Sequence, residues 1–265
     1  MMRNRRTTLL TILFFVFFPF FALAEPTTFA IISDSHIGSA DSVYQNFIRI
    51  IERQNINMIF HTGDAIHNPG NLNQWRKFFE ITGPDKTMYF APGNHDIKGK
   101  QSLSVYFRFF PKLYYSFSDG DTLFVILNTE LPGEEGMVAG EQFDWLTTEL
   151  SRSFKYKFVF LHEPLYPLIS GHGLDRHKEE RNRLHKLFTQ KRVALVAAGH
   201  DHLYLRHEKD GIIYVISAAC GGNSKFFPKD SDLFRYIVVT RKKAGYSFVT
   251  KDAGGSEKDE FFLER

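Results

Sequence analysis

Thr28-Phe29-Ala30-Ile31-Ile32-Ser33-Asp34-Ser35-His36 decides how the chain reads: an apolar run of strand length ends on a carboxylate and an imidazole. The pattern recurs downstream. Asn57 to His61 is a second buried strand, leading into Thr62-Gly63-Asp64, and Thr87 to Phe90 is a third, closed by Ala91-Pro92-Gly93 before Asn94-His95-Asp96. Between them, Ser42 to Gln54 sets Val43, Phe47, Ile50 and Ile51 at helical spacing, and Asn71 to Ile81 is a second helix whose Trp75, Phe78 and Phe79 belong to the core. This strand–helix alternation predicts an α/β fold with a largely parallel sheet.

The second half keeps the rhythm with more strand. Tyr114 to Phe117 and Thr122 to Asn128 read as a hairpin around Asp119-Gly120. Glu141 to Leu150 is a helix, Phe158 to Leu161 a strand, His177 to Phe188 a helix and Val193 to Ala198 a strand. Further strands are expected at Leu203 to His207, Ile212 to Ser217, Tyr236 to Thr240 and Tyr246 to Val249. Neither a repeat nor a linker-like stretch divides the 265 residues, so one domain over residues 25–250 is expected. Residues 251–265, polar apart from Phe261-Phe262-Leu263, are expected as a loosely held C-terminal tail. With 28 Phe, part of the core should be aromatic packing.

The first residues read differently. Arg3, Arg5 and Arg6 precede an apolar run from Leu9 to Leu23 that contains Pro19 and ends in Ala22-Leu23-Ala24, a small-x-small cleavage pattern. A spanning helix needs about 20 apolar residues. Residues 1–24 are therefore expected as a signal peptide of an exported protein, periplasmic or secreted, with an uncleaved anchor as the alternative and no stable membrane insertion after cleavage. The formal net charge of +3 includes those three arginines, so the mature chain is 3 − 3 = 0 and has no global pull toward nucleic acid. Cys220 is the single cysteine, which excludes an internal disulfide and suits a small buried hydrophobe.

The residues that carry chemistry stand just after predicted strands: Asp34 and His36, then Asp64, then Asn94-His95-Asp96, then His162, then His200 and His202. Sites in open α/β sheets form beyond the carboxyl ends of the strands, so five strand ends can bring these groups together. Mixed carboxylate, amide and imidazole ligands without thiolates suit two divalent ions, with Mn, Fe or Zn favoured over Ca or Mg. Gly63, Gly93 and Gly199 each precede a candidate ligand and allow close backbone approach.

Asp34-x-His36, Gly63-Asp64, Gly93-Asn94-His95-Asp96, His162 and Gly199-His200-x-His202 resemble, in order, the motifs of the calcineurin-like metallophosphoesterases, over residues 34–202. The resemblance implies a four-layer αββα sandwich with two mixed β-sheets. It implies that Asp34, His36 and His202 hold one metal ion, that Asn94, His162 and His200 hold the other, and that Asp64 bridges them. His95 would stand over the phosphate with Asp96 orienting its ring. Two ions about 3.5–4 Å apart can generate a bridging hydroxide that attacks phosphorus. His95 then acts either as general acid or as an electrostatic stabiliser. One departure is clear: purple acid phosphatases carry a Tyr ligand three residues after the bridging Asp, and this chain has His67 there. Charge-transfer colour is therefore not expected, and His67 reads as a loop group near the metals.

The expected function is hydrolysis of a small phosphate ester, with phosphomonoesters favoured. A phosphodiesterase or nuclease on the same site is the alternative, and a non-catalytic binding module on the same fold is the reading from a different class. Glu163 to His177 is long for a connection and is either a lid or a solvated loop. Asp201 is expected to point away from the metals, and His61 and His185 to be structural. Phe107, Phe109 and Phe110 are expected in the core, with an apolar substrate wall as the alternative.

Overall fold

A strand buried on both faces needs apolar residues at every position, and the first run meets that condition. In β1 (Thr28–Ile32), Phe29 and Ile31 point into one cluster of buried side chains, and Ala30 and Ile32 into another. The computed structural model describes residues 27–222 and 234–265; the expected signal segment, residues 1–24, lies outside them.

β1 pairs in parallel with β2 (Met58–His61), and β2 with β3 (Thr87–Phe90). On the other side β1 pairs antiparallel with β10 (Arg235–Arg241), which continues to β11 (Gly245–Asp252) and β12 (Glu257–Glu264). The second sheet opens with the expected hairpin, β4 (Tyr115–Asp119) and β5 (Thr122–Ile126). It runs on in parallel through β6 (Tyr156–Phe160), β7 (Leu195–Ala198) and β9 (Ile212–Ser217), and ends on antiparallel β8 (Tyr204–Lys209).

The two mixed sheets lie face to face. Phe60 of the first meets Phe160 of the second at 4.2 Å between ring centroids, and Phe29 meets Phe124 at 5.8 Å. Burying each such ring stabilises the fold by about 2–3 kcal/mol. Helices α1 (Tyr44–Arg53) and α2 (Leu72–Thr82) cover the outside of the first sheet. Helix α3 (Gly99–Tyr106) follows β3, while α4 (Gly140–Glu149) and α5 (Lys178–Gln190) cover the outside of the second. This is the four-layer α/β sandwich. Helix α2 shows how local chemistry sets the boundaries: Asn71 Oδ1 accepts from the amides of Asn73 and Gln74 at 3.0 and 3.1 Å, and Gly83 at φ +78° ends it.

Two expectations change and one element is new. Residues 251–265 are not a loose tail: β12 pairs along β11, Phe261 stacks on Phe248 at 4.5 Å, and Arg206 of β8 pairs with Asp259 at 2.6 Å. Arg265 then donates to the carbonyls of Val193 and Gly211 at 2.8 and 3.1 Å, so the end of the chain is fastened to the opposite sheet. Phe109 and Phe110 pack against Trp75 as expected, but Phe107 is 46% exposed. Helix α3 was not anticipated.

Candidate metal centre

The carboxyl ends of β1, β2 and β3 in one sheet and of β6 and β7 in the other open onto the same edge of the sandwich, and each is followed by its candidate ligands. The turns are tied across that edge. Asp34 N donates to Gly63 O at 2.9 Å, His36 N to Asp64 O at 3.0 Å, and His200 N to Asp34 Oδ2 at 3.0 Å. The last bond links the two sheets. Asp34, His36, Asp64, His200 and His202 all have positive φ, between 43° and 73°, a conformation that aims their side chains into the shared space. Gly93 is required there because a Cβ would stand 2.3 Å from Asp64 Oδ1, and Gly63 because one would meet His162 Nδ1 at 2.4 Å.

Two groups of side chains converge. In the first, His202 Nε2 lies 3.0 Å from His36 Nε2 and 3.3 Å from Asp34 Oδ1, with Asp64 Oδ2 3.7 Å from His36 Nε2. In the second, His162 Nε2 lies 3.1 Å from His200 Nδ1, 3.2 Å from Asn94 Oδ1 and 3.5 Å from Asp64 Oδ2. Asp64 belongs to both. The seven side chains expected as ligands are thus brought to one place, in two groups that share Asp64.

The electrostatics suit cations. Burial works to raise the carboxyls of Asp34 and Asp64, yet the imidazoles of His202 and His162 hold both below the usual range, so both are anionic. His36 is pushed down to about 4 by burial, against the pull of Asp64 and Asp34, and burial with the neighbouring His162 lowers His200. Burial opposes protonation of His162 and His202 too, but Asp64 and Asp34 respectively raise them. The ring of His162 donates through Nδ1 to Thr62 O at 2.7 Å, which leaves Nε2 as the nitrogen that would face a metal ion. His36 Nδ1 and His202 Nδ1 are buried without a hydrogen-bond partner among the described residues. Ring nitrogens and carboxylate oxygens face one another at 3.0–3.7 Å, close enough for several of them to share one cation. The residues fit divalent metal ions.

Asp96 requires a correction. It does not orient His95: its oxygens accept from the amides of Asp64 at 2.7 Å, Gly93 at 2.9 Å, Ala65 at 2.9 Å and Ile66 at 3.4 Å. A buried carboxylate surrounded by backbone donors shapes the ligand loops and has no lone pair left for a ring. His95 is held instead through Nδ1, which donates to His67 O at 2.6 Å, and its ring lies 4.7 Å from that of His36. His67 itself is exposed at the rim.

Asp201 points away from the ligand groups. Buried between His200 and His202, it takes the His172 ring nitrogen Nδ1 at 2.7 Å and the Leu168 amide at 3.0 Å. The His172 ring stacks on His200 at 4.3 Å. The connection from Glu163 to His177 is therefore an ordered rim of the site, further fixed by Arg176 bonding both oxygens of Glu163 at 2.8 and 2.6 Å. His61 is structural, bonded to Ser35 Oγ and the Gly63 amide, and His185 bridges Tyr214 and Asp210. Cys220 is buried.

Sequence reasoning missed Gly222, where a Cβ would meet His36 and His202 at 2.6 and 2.7 Å. It also missed Glu130, which burial and the adjacent Glu163 push up to about 8. The doublet Gly221-Gly222 was a visible signal; nothing marked Glu130.

Fold and site together define a two-sheet protein of the metallophosphoesterase superfamily. More narrowly, the family model for "Calcineurin-like phosphoesterase" matches residues 27–204, and the chain belongs to that family. Among curated proteins it is 26% identical over 196 residues to a phosphoenolpyruvate phosphatase of Allium cepa, covering 66% of this chain and 39% of that protein. It is 29% identical over 151 residues to purple acid phosphatase 23 of Arabidopsis thaliana, covering 50% and 32%. The chain thus spans about a third of the length of one relative and two fifths of the other. Among solved structures, the purple acid phosphatase PPD1 of yellow lupin superposes with a TM-score of 0.72 at 18% identity, covering 91% of this chain and 54% of that one.

Proposed function

We propose that this chain is an exported, metal-dependent phosphoesterase that hydrolyses small phosphomonoesters in preference to diesters, using two divalent ions. The observation that carries the reading is the sharing of Asp64 between two ligand groups, Asp34/His36/His202 and His162/His200 with Asn94. A carboxylate that serves both groups suits a pair of cations, with Mn, Fe or Zn matching the donor set. When bound, such ions supply positive charge against phosphoryl oxygens and acidify water in the site.

The chain's own residues do the rest. Thr62 O fixes the tautomer of His162, and the amides around Asp96 hold the turns that carry Asp64 and Asn94. His95, with Nδ1–H committed to His67 O, turns Nε2 to the site, where the doubly protonated ring would donate to a phosphoryl or departing oxygen. Export is supported by the charged and apolar run over residues 1–24, and monoester preference by the names of the two curated relatives.

The test uses protein stripped by chelator and reloaded with Mn, Zn or Fe, assayed on p-nitrophenyl phosphate and bis-p-nitrophenyl phosphate. Metal-restored hydrolysis that Asp64→Asn lowers by about a thousandfold or more is expected, with the monoester faster. A correctly metallated chain inactive on both would overturn the hydrolase reading.

A further inference from the structure

His67 is the one imidazole at the centre that neither the ligand groups nor the loop contacts account for. Its backbone is fixed on both sides: the amide donates to Ile37 O at 3.0 Å, and the carbonyl accepts from His95 Nδ1 at 2.6 Å. Its ring is exposed and makes no hydrogen bond to another described residue. That ring lies 5.6 Å from His95 and 5.8 Å from His36, and one nitrogen of each of the three lies within 4.8 Å of the others. The group contains no carboxylate.

We propose that His67 and His95 form an anion subsite beside the metal centre that selects phosphate esters carrying a second anionic group near the phosphorus, a carboxylate or a further phosphoryl group. The inference rests on the phosphoesterase reading above and specifies its substrate. A phosphoryl group placed against His95 puts its near substituents within reach of His67. An imidazole there offers a donor to an oxyanion, and its rigid backbone lowers the ordering cost of binding. On the opposite rim the His172 ring is already committed, through Nδ1 to Asp201 and by stacking on His200. A second negative group is accordingly drawn to the His67 side.

The test measures, by calorimetry on the metal-loaded chain, the affinities of methylenebisphosphonate and methylphosphonate, which carry two anionic groups and one. The wild-type chain is expected to prefer the bisphosphonate. His67→Ala should lower the ratio of the two affinities roughly tenfold, the scale of one hydrogen bond to a charged group. His67→Gln, which keeps a donor, should recover most of that ratio. An unchanged ratio in His67→Ala, or no wild-type preference, overturns the proposal. So does a third metal equivalent that His67→Ala loses, since the three imidazoles would then serve a cation. Neither probe is hydrolysed, so the subsite is read even in a chain that fails the hydrolase assay, and the two readings fail separately.

Discussion

On the rim formed after β2 and β3, the carboxylate of Asp96 turns inward onto backbone amides, and the imidazoles of His67 and His95 stand out from the loop it shapes. On the rim formed after β6 and β7, the carboxylate of Asp201 turns outward and grips the imidazole of His172 directly. Both rims pair a buried Asp with a histidine at the mouth. The difference lies in what the carboxylate meets: one fixes a backbone and leaves side chains available, the other fixes a side chain. A buried acid beside a metal ligand can therefore serve stability or chemistry, and its neighbours decide which.

The comparison can be broken at three points. Asp96→Asn should have the largest effect on folding, because an amide nitrogen would face backbone donors; we expect about 3 kcal/mol lost in denaturant unfolding of the metal-free chain. A variant as stable as wild type would mean that Asp96 does not organise the loops. Gly222→Ala presses on His36 and His202 from below, and metal affinity measured by competition with a chelator should fall roughly 10- to 100-fold. Unaltered affinity would show that this contact relaxes freely. Asp201→Asn should have the smallest effect, about tenfold in kcat with KM and unfolding nearly unchanged, because the amide can still accept from Leu168 but no longer carries the charge that favours the His172 tautomer. A loss of stability as large as that of Asp96→Asn would erase the distinction between the rims.

The convergence of the candidate ligands was legible because each follows an apolar strand run, and strand ends converge whatever the intervening loops do. Asp34, Asp64, Asn94, His162, His200 and His202 needed no knowledge of partners. Asp96 did: besides Gly93, its neighbours are backbone amides 30–32 residues upstream, and amides leave no mark in residue identity. His172 was seen only as part of a long loop, since its bond to Asp201 crosses from one connection to another. β12 was hidden for a different reason. An edge strand with one wet face does not show the continuous apolar run of β1, and of Glu257–Glu264 only Leu263 is fully buried. α3 begins at a glycine and buries just Ser102 and Tyr106, too little for a helical stripe to register.

The positive φ angles at Asp34, His36, Asp64, His200 and His202 bear on how this protein can be altered. Each non-glycine residue held there costs the fold on the order of 1 kcal/mol, a cost that glycine does not carry. Random variation screened for heat resistance alone would accordingly favour glycine at these positions and discard the ligands one by one. Stabilised descendants of the chain would lose metal binding first while keeping their shape, so selection for robustness has to be coupled to selection for turnover at every round.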